Sequence, residues 1–188
     1  MGDPKKLRKK YETPRHPWQA SRILSEKPLI KEYGLKNKKE IWKAQSLLRK
    51  FTNQAKLLST IKTEHQKREK EQLINRLVKL GLLKQGQDRE DVLDLNVKNI
   101  LDRRLQTFVI KKGLAKTANQ ARQFITHGHI AVKGQKINIP GYLVNKDEED
   151  FITFSEKSKL NNAEHAERIK VKEVKETKEI KQNETRQA

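Results

Sequence analysis

Cysteine is absent from the 188-residue chain and methionine occurs once. Without thiols there are no disulfides, no thiolate-held zinc or iron–sulfur cluster and no cysteine nucleophile. Aromatic residues make up only 5% of the chain. No apolar run reaches the length of about eighteen residues that a membrane-spanning helix needs, and the N-terminal MGDPKKLRKK lacks the apolar stretch of a signal peptide. A cytoplasmic location is expected. Hydrophobic residues amount to 34%, against roughly 45–50% in ordinary domains counting glycine, which excludes one large core. Leu, Ile, Val and Phe supply 5 of 34 residues in segment 1–34, 37 of 121 in 35–155 and 5 of 33 in 156–188. Only the middle segment has core composition.

Acidic residues are also scarce: 24 Asp and Glu stand against 43 Lys and Arg, a formal net charge of +19. Such a surplus points to a polyanionic partner. Residues 1–70 carry 20 basic and 7 acidic side chains, so most of the excess lies near the N-terminus. Segment 1–34 also holds Pro4, Pro14, Pro17 and Pro28 among its cations. Its low apolar content cannot offset its ordering entropy, so it is expected to be an extended basic arm that orders only on a partner. The tail, 156–188, mixes charges without aromatics and is expected to be disordered, apart from a frayed helix around 169–180.

Between these flanks the periodicity is helical. Ile41, Ala44, Leu48, Phe51, Ala55 and Leu58 recur at steps of three and four after Asn37, with Glu40 placed to complete a capping box. The opposite face carries Lys38, Lys39, Lys43, Arg49, Lys50 and Lys56. A second helix is expected from Thr63 with Gln66 to Gly81, forming a hairpin through 59–62, and Asp88 caps a short turn containing Val92. A third helix is expected from Asn96 to Gly113, with Arg103 and Arg104 outward. Thr117 and Gln120 form another capping box ahead of Ala121, Phe124 and Ile125, ending at Gly128. Ile130 and Val132, a turn at Lys133-Gly134, and Ile137 and Ile139 make a hairpin signature. Further short strands are expected at 142–144 and 151–154, separated by the acidic run Asp147–Asp150, read as a solvated turn. Trp42 is expected in core or interface, whereas Trp18 either stacks on a base or docks on protein.

The stretch from Leu101 to Gly134 resembles the RNA-binding module of the small-subunit ribosomal protein S-four family. Its elements are Arg103-Arg104, Gly113-Leu114-Ala115, Thr117–Gln123, His127–Ile130, Val132 and Gly134, followed by Ile139–Tyr142. Gly2–Lys6, His16-Pro17-Trp18 and Tyr33 through Trp42 resemble the N-terminal region of the archaeal and eukaryotic form, so the likeness covers residues 1 to about 155. It departs at Ala118, where bacterial members commonly have Arg, and at Lys133, where many have Asn. The cysteine cluster of some bacterial members is missing.

The resemblance implies a mainly α protein with an inserted small α+β RNA-binding module of two or three helices and short antiparallel strands. The divisions are the extension 1–34, a helical subdomain 35–95, the module 96–155 and the tail 156–188. It implies a structural constituent of the small ribosomal subunit, not an enzyme. Its partners would be small-subunit rRNA at a helix junction of the 5′ domain, neighbouring ribosomal proteins, and mRNA where it enters the subunit, with no membrane and no homo-oligomer. Expected RNA contacts are Lys5, Lys6, Arg8, Lys9, Lys10 and Arg15 in the arm, and Lys38, Lys39, Lys43, Arg49 and Lys50 on the first helix. In the module they are Arg103, Arg104, Lys116, Thr117, Asn119, Gln120, Arg122, Gln123, His127, His129 and Lys133. Cations and amides are the groups that meet the phosphates and 2′-hydroxyls of an RNA duplex. His127 and His129 supply two ligands where zinc takes three or four, so no metal or other cofactor is expected. Two other readings stand beside this one: a pseudouridine synthase or tyrosyl-tRNA synthetase fragment, which needs a catalytic domain that 1–95 and 156–188 do not offer, and a basic peripheral membrane protein.

Overall fold

A computed structural model of the chain describes residue 9, residues 11–58, 63–162, and residues 165 and 167. The chain divides into two compact units, residues 1–103 and 104–188. The first is helical: α1 (Ala20–Tyr33), α2 (Lys38–Leu57), α3 (Glu64–Lys79), α4 (Arg89–Leu93) and α5 (Val97–Asp102). Phe51, Ala55 and Leu58 of the α2 stripe pack with Leu73 and Leu77 of α3 and with Leu83, Val92 and Leu95. The Gln66 side chain accepts the Thr63 N–H at 3.3 Å, as a capping box requires. Gly81 and Leu82 then return their N–H groups to Val78 and Leu77, closing the helix as a Schellman motif. The 59–62 connection of the expected hairpin lies outside the described residues.

Helix α1 corrects the expectation that all of 1–34 awaits a partner. Its anchor is Glu26, only 2% exposed, which receives Arg22 at 2.9 Å and the Trp42 indole N–H at 3.2 Å, with Lys38 at 4.0 Å. At the other end the buried Tyr33 donates to Asp102 at 3.1 Å. Carboxylate proximity and burial push the Tyr33 phenol far up, burial being the larger cause. The partners that order α1 lie later in the same chain, so the segment's own composition conceals them. Asn37 is also corrected: it stands at the α2 N-cap without a side-chain bond, and Glu40 instead accepts the Lys36 N–H at 3.4 Å.

The second unit is an α+β module of α6 (Leu105–Lys111), α7 (Ala118–Thr126) and a three-stranded antiparallel sheet, β1 (Ile130–Val132), β2 (Gln135–Lys136) and β3 (Ile152–Phe154), in the order β2-β1-β3. Lys133 and Gly134 both have positive φ, 50° and 78°, the two-residue hairpin geometry whose twist matches the strands. Leu105, Val109, Ala121, Ile125, Ile130 and Val144 are fully buried in its core, and Leu160 joins them from beyond β3.

The helix expected over 96–113 is two helices, α5 and α6, broken at Arg103-Arg104. Leu105 and Gln106 turn their N–H groups to the carbonyls of Tyr142 and Pro140, at 2.8 and 3.4 Å. The Ile139–Tyr142 motif thus satisfies the start of α6, which a continuous helix would not need. For the same reason 142–144 is reduced to one bridge, Arg104 with Leu143, and Ile139 is 60% exposed rather than in a strand. Nor is the acidic run wholly solvated. Glu148 accepts the Asn145 N–H at 3.2 Å and the Tyr142 hydroxyl at 2.9 Å. Burial works to raise the Glu148 carboxyl, but those bonds and the nearby Lys133 outweigh it and hold it below the usual carboxylate range.

Candidate nucleic-acid interface

Helix α7 organises the module's polar surface. Ala121, Phe124 and Ile125 face the core, which leaves Asn119 and Gln123 exposed and Arg122 half-buried on the outer side. The Thr117 hydroxyl accepts the Gln120 N–H at 3.2 Å, while the Gln120 amide oxygen accepts the Lys116 N–H at 2.7 Å. The reach-back expected for Thr117 goes one residue further, to Lys116, as Glu40 does at α2. Ala118 and Asn119 occupy the first turn, where N–H groups have no partner within the helix and the helix dipole is positive. Beneath that turn the buried Gln106 donates its side-chain amide to the Ala118 carbonyl at 2.8 Å, fixing α7 on α6. From the tail, Glu167 accepts the Gln120 amide at 2.9 Å, placing a carboxylate at the same turn.

At the other end of α7, Gly128 has φ 71° and its N–H returns to Ile125, with His129 returning to Phe124. The Lys136 side chain crosses this glycine so closely that its Cε lies 1.9 Å from where a β-carbon would stand. His127 and His129 stack with ring centres 6.4 Å apart, His127 exposed and His129 half-buried. His129 Nδ1 lies 2.8 Å from the Ser158 hydroxyl. Burial first, then His127, Lys136 and His165, lowers the His129 imidazole from its ordinary value. At neutral pH it is therefore an uncharged ring, able to stack or hydrogen-bond but not to act as a cation.

The remaining expected residues scatter. Lys133 projects from the hairpin turn, its Nζ 5.9 Å from the Phe151 ring. Arg104 is corrected most clearly: it is 7% exposed, held by the Leu143 bridge with its guanidinium against Gly141, and is not an outward cation. Arg103 is half-buried in the first unit, its guanidinium packed on Gly81. Lys39, Lys43 and Lys50 stand exposed on α2, whereas Lys38 faces Glu26 and Arg49 pairs with Glu12. Lys9 and Arg15 are exposed; Lys5, Lys6, Arg8 and Lys10 lie outside the described residues. Trp18 is 89% exposed.

Residues 103–150 match the S4 domain family. Over 160 residues the chain is 52% identical to small ribosomal subunit protein uS4 of Methanothermobacter thermautotrophicus, across 85% of this chain and 94% of that protein. The chain belongs to the uS4 family. Similar uS4 proteins include that of Nanoarchaeum equitans, 51% identical over 84% of this chain and 89% of the relative, and that of Saccharolobus solfataricus, 53% identical over 86% and 90%. The archaeal-type likeness read from the motifs is thus borne out, and uS4 proteins are structural, not enzymes. The S4 match begins at Arg103, one residue before the second unit.

Sequence reasoning missed three side chains that shape this uS4 surface. Glu26 and Gln106 are buried polar groups: Arg22 stands four residues from Glu26, but the ties to other elements, Trp42 for Glu26 and Ala118 for Gln106, lie sixteen and twelve residues away, where nothing local signals them. Lys136 was legible in part: Gly128 at a helix end marks a backbone that a neighbour can approach.

Proposed function

We propose that this chain is a structural constituent of the small ribosomal subunit, resident in the cytoplasm, which binds small-subunit rRNA directly. The observation that carries the reading is the first turn of α7. The Ala118 and Asn119 N–H groups have no partner within the helix, and Lys116 precedes the Thr117 cap, so a backbone phosphate at this turn gains both hydrogen bonds and the helix dipole. Asn119, Arg122 and Gln123 extend the contact along the outer face, and Lys39, Lys43 and Lys50 form a second cationic face on α2. An A-form duplex presents phosphates and 2′-hydroxyls in a fixed shape, which such groups contact without reading a sequence. Two basic faces on one chain raise each other's effective concentration on a folded RNA junction. Membership of the uS4 family extends this reading to a junction of the 5′ domain, early binding that nucleates assembly, and a place among neighbouring ribosomal proteins where mRNA enters.

Filter binding of the full chain to small-subunit rRNA, repeated over a salt series, tests this. Arg122→Gln should weaken binding and reduce the salt slope by about one. Unchanged affinity and slope in a folded variant would remove α7 from the interface, and salt-independent binding of the wild-type chain would overturn the reading itself.

A further inference from the structure

The first unit contains a cavity of about 920 Å³, within the roughly 300–1,000 Å³ range of clefts that enclose small organic ligands. Four stretches wall it: residues 12–15 of the arm, Arg22 of α1, one side of α2, and the connection from the end of α4 into α5. The chemistry of the walls is divided. Leu48, Leu95 and Val97 form an apolar flank, Gln45 adds an amide, and Arg15 and Arg49 bring guanidinium groups. Leu93 lies at the lip, 46% exposed.

The arm is held in place against α2. The Glu12 N–H donates to the Ser46 hydroxyl at 2.9 Å, and the Glu12 carboxylate pairs with Arg49. Arg22, also in the lining, spans the arm by donating to the Pro17 carbonyl at 2.7 Å while it holds Glu26. The cavity is therefore preformed, which lowers the ordering cost of filling it. Its charge is directional, with three arginines and one glutamate in the lining. Arg49 and Glu12 are 60% and 69% exposed, and an exposed ion pair contributes little. A phosphate can replace the Glu12 carboxylate on Arg49 at small cost, because the same planar fork fits both anions and the Glu12 N–H bond to Ser46 still holds the arm.

The geometry points to a pocket for one unstacked nucleotide of the bound RNA, its phosphate on Arg15 and Arg49, its base against Leu48, Leu95 and Val97, and the Gln45 amide on the base edge. This rests on the rRNA-binding reading above and adds to it a site of a different kind. The α7 and α2 faces suit the backbone of a duplex, whereas a walled cavity with an apolar flank suits a base already turned out of its stack, the form in which RNA bases are most readily recognised.

The test uses the full chain and small-subunit rRNA, with a benzophenone side chain installed at Leu93 for crosslinking, and with Thr52→Phe, which fills the cavity from α2. One unpaired nucleotide should dominate the crosslinks. Thr52→Phe should bind about tenfold more weakly with an unchanged salt slope, and Arg15→Gln should lower the slope by about one. Making the crosslinked nucleotide abasic should cost the wild-type chain the same about tenfold and cost Thr52→Phe nothing more, the two losses being one interaction. The abasic arm on the wild-type chain does not depend on whether Thr52→Phe folds. Crosslinks spread over paired nucleotides, crosslinks to a neighbouring protein in subunit particles, or undiminished binding to the abasic RNA would overturn the pocket while leaving rRNA binding intact. Loss of all rRNA binding by the wild-type chain would overturn both.

Discussion

The indole N–H of Trp42 donates to the carboxylate of Glu26 at 3.2 Å, joining α2 to α1 around a carboxylate that is 2% exposed. Arg22 completes the arrangement from two sides, donating to Glu26 at 2.9 Å and lying 6.0 Å from the centre of the Trp42 ring. A buried carboxylate persists only when charge and hydrogen bonds compensate its lost hydration. Glu26→Ala should leave Arg22 and the indole N–H without that partner and cost about 3 kcal/mol in denaturant unfolding. Hydrogen exchange should accelerate over residues 20–33 before it does in α3. Exchange unchanged in α1 would show that Tyr33 and Asp102 suffice to hold the helix.

The His129 ring predicts a pH dependence of the module. Its imidazole is lowered in the folded state from the ordinary 6.5, so the unfolded chain takes up its proton first as pH falls. The stability this supplies is complete above 6.5 and is lost as pH falls through the folded value. Thermal melting of the full chain should fall between pH 7 and pH 5.5, and His129→Gln should flatten that fall. Glu148 acts lower: its carboxyl is held below the ordinary 4.5, so its contribution fails only as pH drops beneath that value.

Gly128 combines a left-handed backbone with the crossing Lys136 side chain. Gly128→Ala should cost about 1–2 kcal/mol from the φ of 71° alone, and it should push Lys136 off the end of α7. Loss of stability together with a smaller salt slope for rRNA is the expected pair of readings. Lys136→Gln should reproduce the second without the first.

Charge reversal should separate two arginines of the module. Arg104→Glu places a carboxylate at a buried position beside Gly141 and should destabilise the fold by about 3 kcal/mol. Arg122→Glu should leave the melting temperature nearly unchanged and weaken rRNA binding at low salt most of all. Equal melting temperatures for the two variants would contradict the buried placement of Arg104.

Glu167 accepts the Gln120 amide at the turn proposed for a phosphate. Removing that negative charge with Glu167→Gln should strengthen rRNA binding about twofold at low salt and have no effect at high salt, where screening hides a single exposed charge.

Elements that repeat a period were legible from the residues. The stripe from Ile41 to Leu58, the Thr63 box and the Gly81 stop place α2 and α3 because helix geometry puts i, i+3 and i+4 on one face whatever surrounds them. Lys133-Gly134 between two alternating runs likewise specified a hairpin, since few residue pairs accept two positive φ values. The polar ends of α7 followed from Thr117 and Gly128 in the same way. Misreadings occurred where distant groups decide. The break between α5 and α6 exists because carbonyls of Pro140 and Tyr142, some thirty-five residues on, take the N–H groups of the new helix. Arg104 looked like a surface cation by type and was buried by its bridge to Leu143.

The residues by themselves thus determined the class of the protein: a cationic chain without thiols or an apolar run long enough for a membrane-crossing helix, a helical region, and an α+β module with the uS4 motifs. Composition, period and turn chemistry are local properties, and they survive in a one-dimensional reading. Tertiary structure alone decided that α1 is ordered, that Glu26 and Gln106 are interior polar ties, and that three arginines and an apolar flank enclose one cavity. Each depends on groups meeting across many positions, where burial changes the energy of a charge or an amide far more than its sequence neighbours do.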